Sequence, residues 1–465
     1  MFTRTHRAQL IGAGALAAVL MLWPAAAWAH VKWFSNFDFR DPPRSFSEVA
    51  DVGFVITLAV ATVVIGTLPA LDAWLESRPE YQRLNRWLAD RGEYSIDVVR
   101  YSMAAVLFIT WADQALLAPE LAEPADWVGW LEFAMAIALL TGRANRAVGG
   151  GLLLLWLIGV YEYGTFHMLD YLHIIGIGGY LLLRYDDRQT VRGLGLPVLY
   201  LGVGISLMWL GFEKLVYPEW SFAILDTRPL LRLGLPAEFF LDLAAFVEIG
   251  LGFLLIIGLL GRPLALVITV VFIMTTLVFG RVEVIGHTPV HAALVVFLLR
   301  GAGSTYPAPF AIHRDLRLRT AFAAVNFALL TVLVGFLYTG AARAQFDDAV
   351  AELGPKPAPI EAAEPTPEVV SIEVVDSPTG SDVALELSGF SLVPPDFEGT
   401  GDGDDPTRGY GVITVDGQTV ARLDGPSSPL WDDGEVDAVL HLFTPSGREL
   451  EVDGEPLRLP IELNG

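Results

Sequence analysis

The sequence has 465 residues, of which 53% are hydrophobic and only 18% are charged. A soluble domain is typically about one-quarter charged, so this deficit over a long chain indicates several bilayer spans. The sequence contains no cysteine. Disulfides, iron–sulfur clusters, thiolate zinc sites and thiol redox relays are therefore excluded.

The N-terminal segment has the organisation of a secretory signal peptide. A short basic segment precedes an apolar run over residues 10–23, and an A-x-A sequence ends at Ala29. Cleavage after Ala29 would make His30 the first residue of the mature chain. Such a residue offers its α-amine and its imidazole together, a pair of nitrogen ligands that suits Cu(II). The alternative is that His30 is an ordinary terminal residue.

The remaining apolar runs are each about long enough to cross a bilayer at ~20 residues, although some are short. Ten spans are predicted, over residues 47–70, 96–118, 127–141, 147–163, 168–184, 195–215, 237–260, 263–281, 287–300 and 320–341. Arginines fall mainly in alternate loops, as the positive-inside rule requires, and the one mixed outer loop, 216–236, has Arg228 and Arg232 as well as acids. This alternation predicts a bacterial cytoplasmic (inner) membrane protein with its N-terminus and C-terminal domain on the periplasmic or extracellular side.

Two parts of the chain look like copies of one four-helix unit. A tryptophan-led segment at 111–114 parallels the one at 209–214, and a Pro-Glu pair follows each. The next helix of each copy contains one acid and ends in Gly-Arg, and the last helix carries a histidine. These residues are Glu132 and Glu248 for the acids, and His173 and His291 for the histidines. Four spans per copy predict parallel repeats, related by an axis along the membrane normal.

This repeated pattern resembles the DoxX family of small four-helix membrane proteins, over roughly residues 96–300. Residues 211–214, Gly-Phe-Glu-Lys, are similar to the family's G-x-x-K, and the helix containing Glu248 is similar to its E…G-(L)-x-R helix. The first copy departs from the pattern, because Gln114 stands near the expected lysine. The resemblance implies one four-helix bundle per copy and an association with membrane-bound oxidoreductase systems, some of them quinone-linked.

The C-terminal part is strongly acidic. From residue 342 to 465 there are 26 acidic and 6 basic residues, which is −20 of the total net charge of −23. We interpret this surface as a solvated one. The five prolines of 342–368 predict a semi-rigid linker, and the short alternating runs after it predict a β-sandwich. Residues 409–425 resemble a periplasmic Ig-like domain with the motif G-H-x-H-x-Y-V-D-G, but Tyr410 and Val412 replace its histidines.

The predicted fold class is therefore an α-helical polytopic membrane protein, with two four-helix DoxX-like bundles, flanking helices and a C-terminal β-sandwich domain. The predicted divisions are a signal peptide (1–29), an N-terminal segment with the first transmembrane helix (30–94), two repeats (95–190 and 191–302), the last transmembrane helix (303–341), a Pro-rich linker (342–368) and an acidic outer domain (369–465).

Two acids within predicted spans are candidate ligand-binding residues. Glu132 and Glu248 are costly in a bilayer unless they face the bundle interior or a cavity. They are interpreted either as proton-accepting or ligand-binding carboxylates, with Lys214 as partner for an anionic or quinone head group, or as interhelical hydrogen-bonding groups. Asp113 and Glu213 lie close to span ends and are expected at the membrane interface.

Histidines form the second candidate group. His167 and His287 fall at the predicted outer mouths of corresponding regions, and His173 and His291 lie one to two turns deeper. Imidazole suits copper and zinc, so His167 and His287 are candidate ligands of a copper site completed by His30. The alternative is ordinary polar packing between helices.

The leading hypothesis is a DoxX-like membrane subunit that is redox-associated, through a quinone or copper, and that works with a membrane oxidoreductase complex in the lipid bilayer. The alternatives are a small-molecule transporter built on the parallel repeats, and a membrane anchor or assembly protein whose outer domain recruits partners. The sequence lacks a phosphate loop, a G-x-S-x-G elbow, an H-E-x-x-H motif and any sign of nucleic-acid binding. Whether the protein catalyses a reaction is left open.

Overall fold

The computed structural model describes residues 31–35, 37–227, 229–232, 234–301, 315–356, 360–377, 380–392, 406–415, 418–423, 427–430, 436–444, 448–452 and 455–463. The chain divides into two compact units. The first extends to Trp33 and resumes from Pro42 to Gln345, and the second comprises Phe34–Asp41 and Phe346–Gly465.

The first unit is helical. Its α-helices are α1 (Phe46–Val49), α2 (Val52–Glu76), α3 (Pro79–Ala89), α4 (Ser95–Ala112), α5 (Asp126–Thr141), α6 (Asn145–Met168), α7 (Leu172–Arg184), α8 (Gln189–Gly193), α9 (Gly195–Val216), α10 (Pro218–Thr227), α11 (Ala237–Ile257), α12 (Gly261–Phe279), α13 (Arg281–Arg300) and α14 (Leu316–Leu353), which ends in the second unit. Each of the ten predicted apolar runs overlaps at least one of these helices.

Seven helical runs of the described chain are long and apolar enough to cross a membrane. They are 52–76, 92–112, 145–184, 189–216, 237–257, 281–300 and 316–353. Two of the predicted spans merge in 145–184, because a 3₁₀ turn at Leu169–Tyr171 joins α6 directly to α7. Helix α5 has 16 residues, which at 1.5 Å per residue is about 24 Å, less than a ~30 Å hydrocarbon core. The separate crossing of all ten runs stays a prediction.

Glycines let helix α9 approach its neighbours closely. This helix packs against α7 on one side and α11 on the other. A Cβ built on Gly202 would lie 2.7 Å from the Cα of Gly176, and one on Gly204 would lie 2.8 Å from the carbonyl oxygen of Gly252. Small residues at helix contacts are typical of membrane bundles. A Cβ on Gly211, in the second half of α9, would likewise lie 2.9 Å from the carbonyl oxygen of Ala245, so the helix is tightly packed where the charged residues described below lie.

Helix α14 continues past residue 342, where the linker was predicted to begin, and ends at Leu353. Alanines from 341 onward favour the helix. The helix stops where Gly354 adopts a left-handed φ of 76° and Pro355 follows, a common combination at helix ends.

The second unit is built from small sheets. Its strands are β1 (Ile360–Glu361), β2 (Glu368–Ser377), β3 (Gly380–Ser388), β4 (Ser391–Leu392), β5 (Arg408–Val415), β6 (Gln418–Leu423), β7 (Ser427–Leu430), β8 (Val436–Phe443), β9 (Leu450–Val452), β10 (Glu455–Pro456) and β11 (Arg458–Leu463). The sheet orders are β1-β9-β10, β2-β3-β7 and β11-β8-β5-β4, with β6 paired to β5.

An apolar core holds these sheets together. Leu385 of β3, Ile413 of β5, Leu440 of β8 and Ile461 of β11 belong to the same buried cluster. Tyr410, which stands at a histidine position of the Ig-like motif, is buried and stacks on Phe443 with 5.3 Å between ring centroids. The arrangement as a β-sandwich stays a prediction.

Candidate functional site

The first described residues form part of the interior of the helical unit. Val31–Trp33 make a single 3₁₀ turn in which all three residues are buried. The Lys32 Nζ lies 2.6 Å from Asp170 Oδ2 and 2.5 Å from Glu213 Oε2, and none of the three side chains is exposed. The result is a buried ion triad that joins the N-terminal segment to α9 and to the turn between α6 and α7.

The buried position of Glu213 corrects the expectation that it lies at the membrane interface. Its side chain faces inward because α9 is enclosed by neighbours along its second half. Asp113 is partly exposed and pairs with Arg281 at 2.9 Å, as expected near a span end. Burial alone would lower the pKa of Lys32, but the Asp170 and Glu213 carboxylates raise it above its usual value. Lys32 is therefore charged at neutral pH.

A second ion pair lies one residue further along α9. The Lys214 Nζ is 2.8 Å from Glu248 Oε2 on α11, and both side chains are almost completely buried. These two residues lie in the G-x-x-K and acidic-helix motifs of the predicted second copy. The lysine that was a candidate partner for a ligand thus has a carboxylate partner within the protein.

The acid of the predicted first copy, Glu132, has different partners. Glu132 is fully buried and accepts hydrogen bonds from Thr110 Oγ1 at 2.9 Å and from the Leu117 N–H at 3.0 Å. Gln114 stands near the position expected for the lysine of the predicted first copy, and the Glu132 carboxylate is bonded by a hydroxyl and a backbone amide. Leu117 adopts a left-handed φ of 62°, a conformation that costs a non-glycine residue about 1–2 kcal/mol. Glu132 therefore holds a strained loop between α4 and α5.

The loop between α4 and α5 also contains Glu120, which belongs to a series of polar contacts. Trp33 Nε1 donates to Tyr171 Oη at 3.1 Å, and the Tyr171 hydroxyl donates to Glu120 Oε1. The same carboxylate oxygen lies 3.5 Å from His167 Nε2. Burial raises the pKa of Glu120 to about 8. The N-terminal segment is thus linked, through Tyr171 and Glu120, to the predicted copper ligand His167.

His287, the other predicted copper ligand on the helices, also contacts Trp33. Its ring centroid is 4.9 Å from that of Trp33, and it stacks on Phe272 at 4.3 Å. Its Nδ1 contacts Glu283 Oε2. A Cβ on Gly286 would overlap the Trp33 ring, so only glycine allows this close approach. The imidazole is fixed by a carboxylate and two aromatic rings.

The deeper histidines have more ordinary surroundings. His173 is buried, with its Nδ1 3.3 Å from Ser206 Oγ, and His291 packs edge-on against Phe272 with 5.9 Å between centroids. His30 lies outside the described residues. Among the described residues, no group of three histidines or carboxylates is placed to hold a metal ion.

Aromatic side chains surround the triad. Phe166 is 5.2 Å from Tyr338, and Tyr338 is 4.6 Å from Trp209, measured between ring centroids. Trp209 Nε1, Tyr338 Oη and Glu213 Oε1 are buried and have no hydrogen-bond partner within the described part of the chain. A buried donor without a partner costs free energy. This aromatic cluster, formed by Phe166, Trp209 and Tyr338, therefore contains two buried donors, Trp209 Nε1 and Tyr338 Oη.

Comparison with known families gives a match over the segment that contains α9 and α11. Residues 195–281 match the DoxX family model. This DoxX segment runs from α9 to the first residue of α13 and falls in the second predicted copy, while the duplication itself stays a prediction. No curated protein and no solved structure matches the chain. The DoxX segment and the seven apolar helices identify a helical membrane protein.

The sequence did not indicate Lys32, Asp170 or Tyr171 as site residues. One signal was present: Lys32 is a basic residue on the predicted outer side, where the positive-inside rule disfavours it, and it stands between Val31 and Trp33. A lysine among apolar residues on the outer side of a membrane is a pattern that indicates a buried carboxylate partner.

Proposed function

We propose that the protein is a redox-associated membrane subunit of the DoxX type that binds copper at its outer face through His30. The observation that carries the proposal is the burial of Val31–Trp33 in the helical unit, with Trp33 in contact with both His287 and Tyr171. Because consecutive Cα atoms are about 3.8 Å apart, a metal held by residue 30 would draw its further ligands from this neighbourhood.

The histidines near Trp33 fit copper chemistry. His287 contacts Glu283 through Nδ1, which leaves Nε2 as the nitrogen for a metal. Metal-ligating histidines usually have their second nitrogen hydrogen-bonded to a carboxylate or carbonyl, which fixes the ring. His167 makes a similar contact, with Glu120, through Nε2. The amine and imidazole of His30 would supply two nitrogens, and one of these rings would supply a third, a set that suits Cu(II).

Copper content of the purified mature protein tests this role. Mass spectrometry first establishes whether the chain begins at His30. The wild type should then bind copper stoichiometrically, and His30→Ala should lose most of it. His441→Ala is the matched control, because His441 lies in the second unit and bonds to Glu449. Equal copper content in the wild type and His30→Ala, or a chain that retains Met1, would reject the proposal.

A quinone head group is the second candidate ligand, and the aromatic cluster of Phe166, Trp209 and Tyr338 favours it. Trp209 Nε1 and Tyr338 Oη are donors within one aromatic wall, and quinone carbonyls are acceptors that could take both hydrogen bonds. Ligand sites typically combine apolar walls with a few such polar groups. Trp209→Phe keeps the wall and removes one donor, so it should weaken the binding of a short-chain ubiquinone analogue about tenfold. Unchanged binding of the analogue by Trp209→Phe, or no binding by the wild type, would reject the quinone site.

A further inference from the structure

We propose that Lys32 fills a binding site for a primary alkylammonium group, and that this site holds the N-terminal segment in the bundle as a tethered ligand. The ammonium site consists of Asp170, Glu213, Phe166 and Trp220. It is independent of the copper proposal, since none of its four residues is a predicted metal ligand.

The carboxylates supply the charge recognition. The Lys32 Nζ lies 2.6 Å from Asp170 Oδ2 and 2.5 Å from Glu213 Oε2, within a completely buried environment. Asp170 belongs to the turn after α6 and Glu213 to α9, so the site exists only where these two elements meet. Without a cation, two carboxylates would remain in an interior where an unpaired charge is strongly unfavourable.

Aromatic faces supply the selectivity for an organic cation. The Nζ lies 5.6 Å from the ring centroid of Phe166 and 5.7 Å from that of Trp220, both within the ~6 Å range of cation–π attraction. Trp220 is held by stacking on Tyr217, with 4.0 Å between centroids and 3° between planes. Hard metal ions require oxygen ligands on most sides, whereas two carboxylates and two aromatic faces suit an ammonium on an alkyl chain.

Trp33, the residue next to Lys32, is also inserted into the helical unit. Trp33 donates to Tyr171 and covers Gly286, so it belongs to the same interior as Lys32. The segment therefore inserts two adjacent side chains into the helical unit. Lys32 contributes the charge, and Trp33 contributes apolar contact and one hydrogen bond.

Chemical rescue of Lys32→Ala in the full-length protein tests the ammonium site. The substitution removes the equivalent of n-propylammonium, so that ion is the probe. We expect the variant to have a lower Tm in detergent than the wild type. Its Tm should rise in a saturable way with propylammonium concentration, because a ligand that binds only the folded state stabilises it by mass action. Sodium chloride at equal ionic strength and n-propanol at equal concentration should not restore it.

Lys356→Ala is the matched control, since Lys356 is half-exposed and pairs with Asp41 in the second unit. Its Tm should not respond to propylammonium. The same rescue by propanol or by salt, or an equal response of Lys356→Ala, would overturn the proposal. So would the absence of any response in Lys32→Ala.

A second variant covers the case in which Lys32→Ala does not fold. Lys32→Ala with Asp170→Asn and Glu213→Gln has no unpaired charge in the site, so it should fold and be insensitive to propylammonium. Lys32→Ala should then be recovered as folded protein only when membranes are solubilised in propylammonium. If the triple variant folds while Lys32→Ala stays unfolded with the amine present, or if the triple variant responds to the amine, the ammonium site is refuted.

Discussion

Removal of Lys214 should destabilise the protein far more than removal of the whole ion pair to which it belongs. Lys214 and Glu248 lie 2.8 Å apart, and their side chains are 2% and 4% exposed. Lys214→Met keeps a long unbranched side chain but leaves the Glu248 carboxylate in the interior without its cation. The double variant Lys214→Met/Glu248→Leu removes both charges and keeps the space filled.

The expected magnitudes follow from the cost of a buried unpaired charge. Breaking a buried ion pair by removing one partner typically costs about 3–5 kcal/mol, whereas replacing both partners with apolar residues is often neutral or stabilising. Lys214→Met should therefore lower the free energy of unfolding by about 3–5 kcal/mol, and the double variant should lie within about 1 kcal/mol of the wild type. Glu248→Gln keeps an acceptor for the ammonium but no charge, so its loss should be about 1–3 kcal/mol.

Reversible unfolding in mixed micelles measures these differences for the wild type, Lys214→Met, Glu248→Leu and the double variant, with Glu248→Gln measured beside them. The cycle isolates the interaction between the two residues. Lys356→Met is the control, because an exposed ion pair contributes about 0–1 kcal/mol. If Lys214→Met were as stable as the wild type, or if the double variant lost the sum of both single losses, the buried pair would not have the energetic role given to it here.

The remaining predictions concern the first copy and the topology. Glu132→Gln should change the free energy of unfolding by less than about 1 kcal/mol, because the amide oxygen still accepts a hydrogen bond. Glu132→Leu should lose about 1–3 kcal/mol by leaving buried donors without an acceptor; equal stabilities would contradict this. Since no native cysteine is present, Gln82→Cys and Glu352→Cys report topology directly. A membrane-impermeant maleimide should label position 352 but not position 82 in intact cells. Labelling of position 82 from outside would contradict the predicted orientation.

The helical framework of this protein is largely determined by local features of the sequence. Apolar runs of sufficient length form helices because every backbone group must be hydrogen-bonded in a bilayer, and each predicted run overlaps at least one helix. Glu248 was recognisable as a candidate because an acid within an apolar run is costly wherever the chain folds. The end of α14 at Leu353 has a similar local cause in Gly354 and Pro355.

Tertiary structure decided which charges meet. Lys32 and Asp170 are 138 positions apart in the chain, and no local pattern relates them. Glu132 and Glu248 occupy corresponding places in the predicted repeat, yet Glu132 accepts from a hydroxyl and a backbone amide while Glu248 pairs with Lys214. The hydropathy of the sequence indicates that burying a charged side chain is costly. The packing of the helices decides which residue pairs with that charge. For that reason the sequence indicated buried charge at Glu132 and Glu248, and only the folded chain brought an N-terminal lysine to the carboxylates that stabilise it.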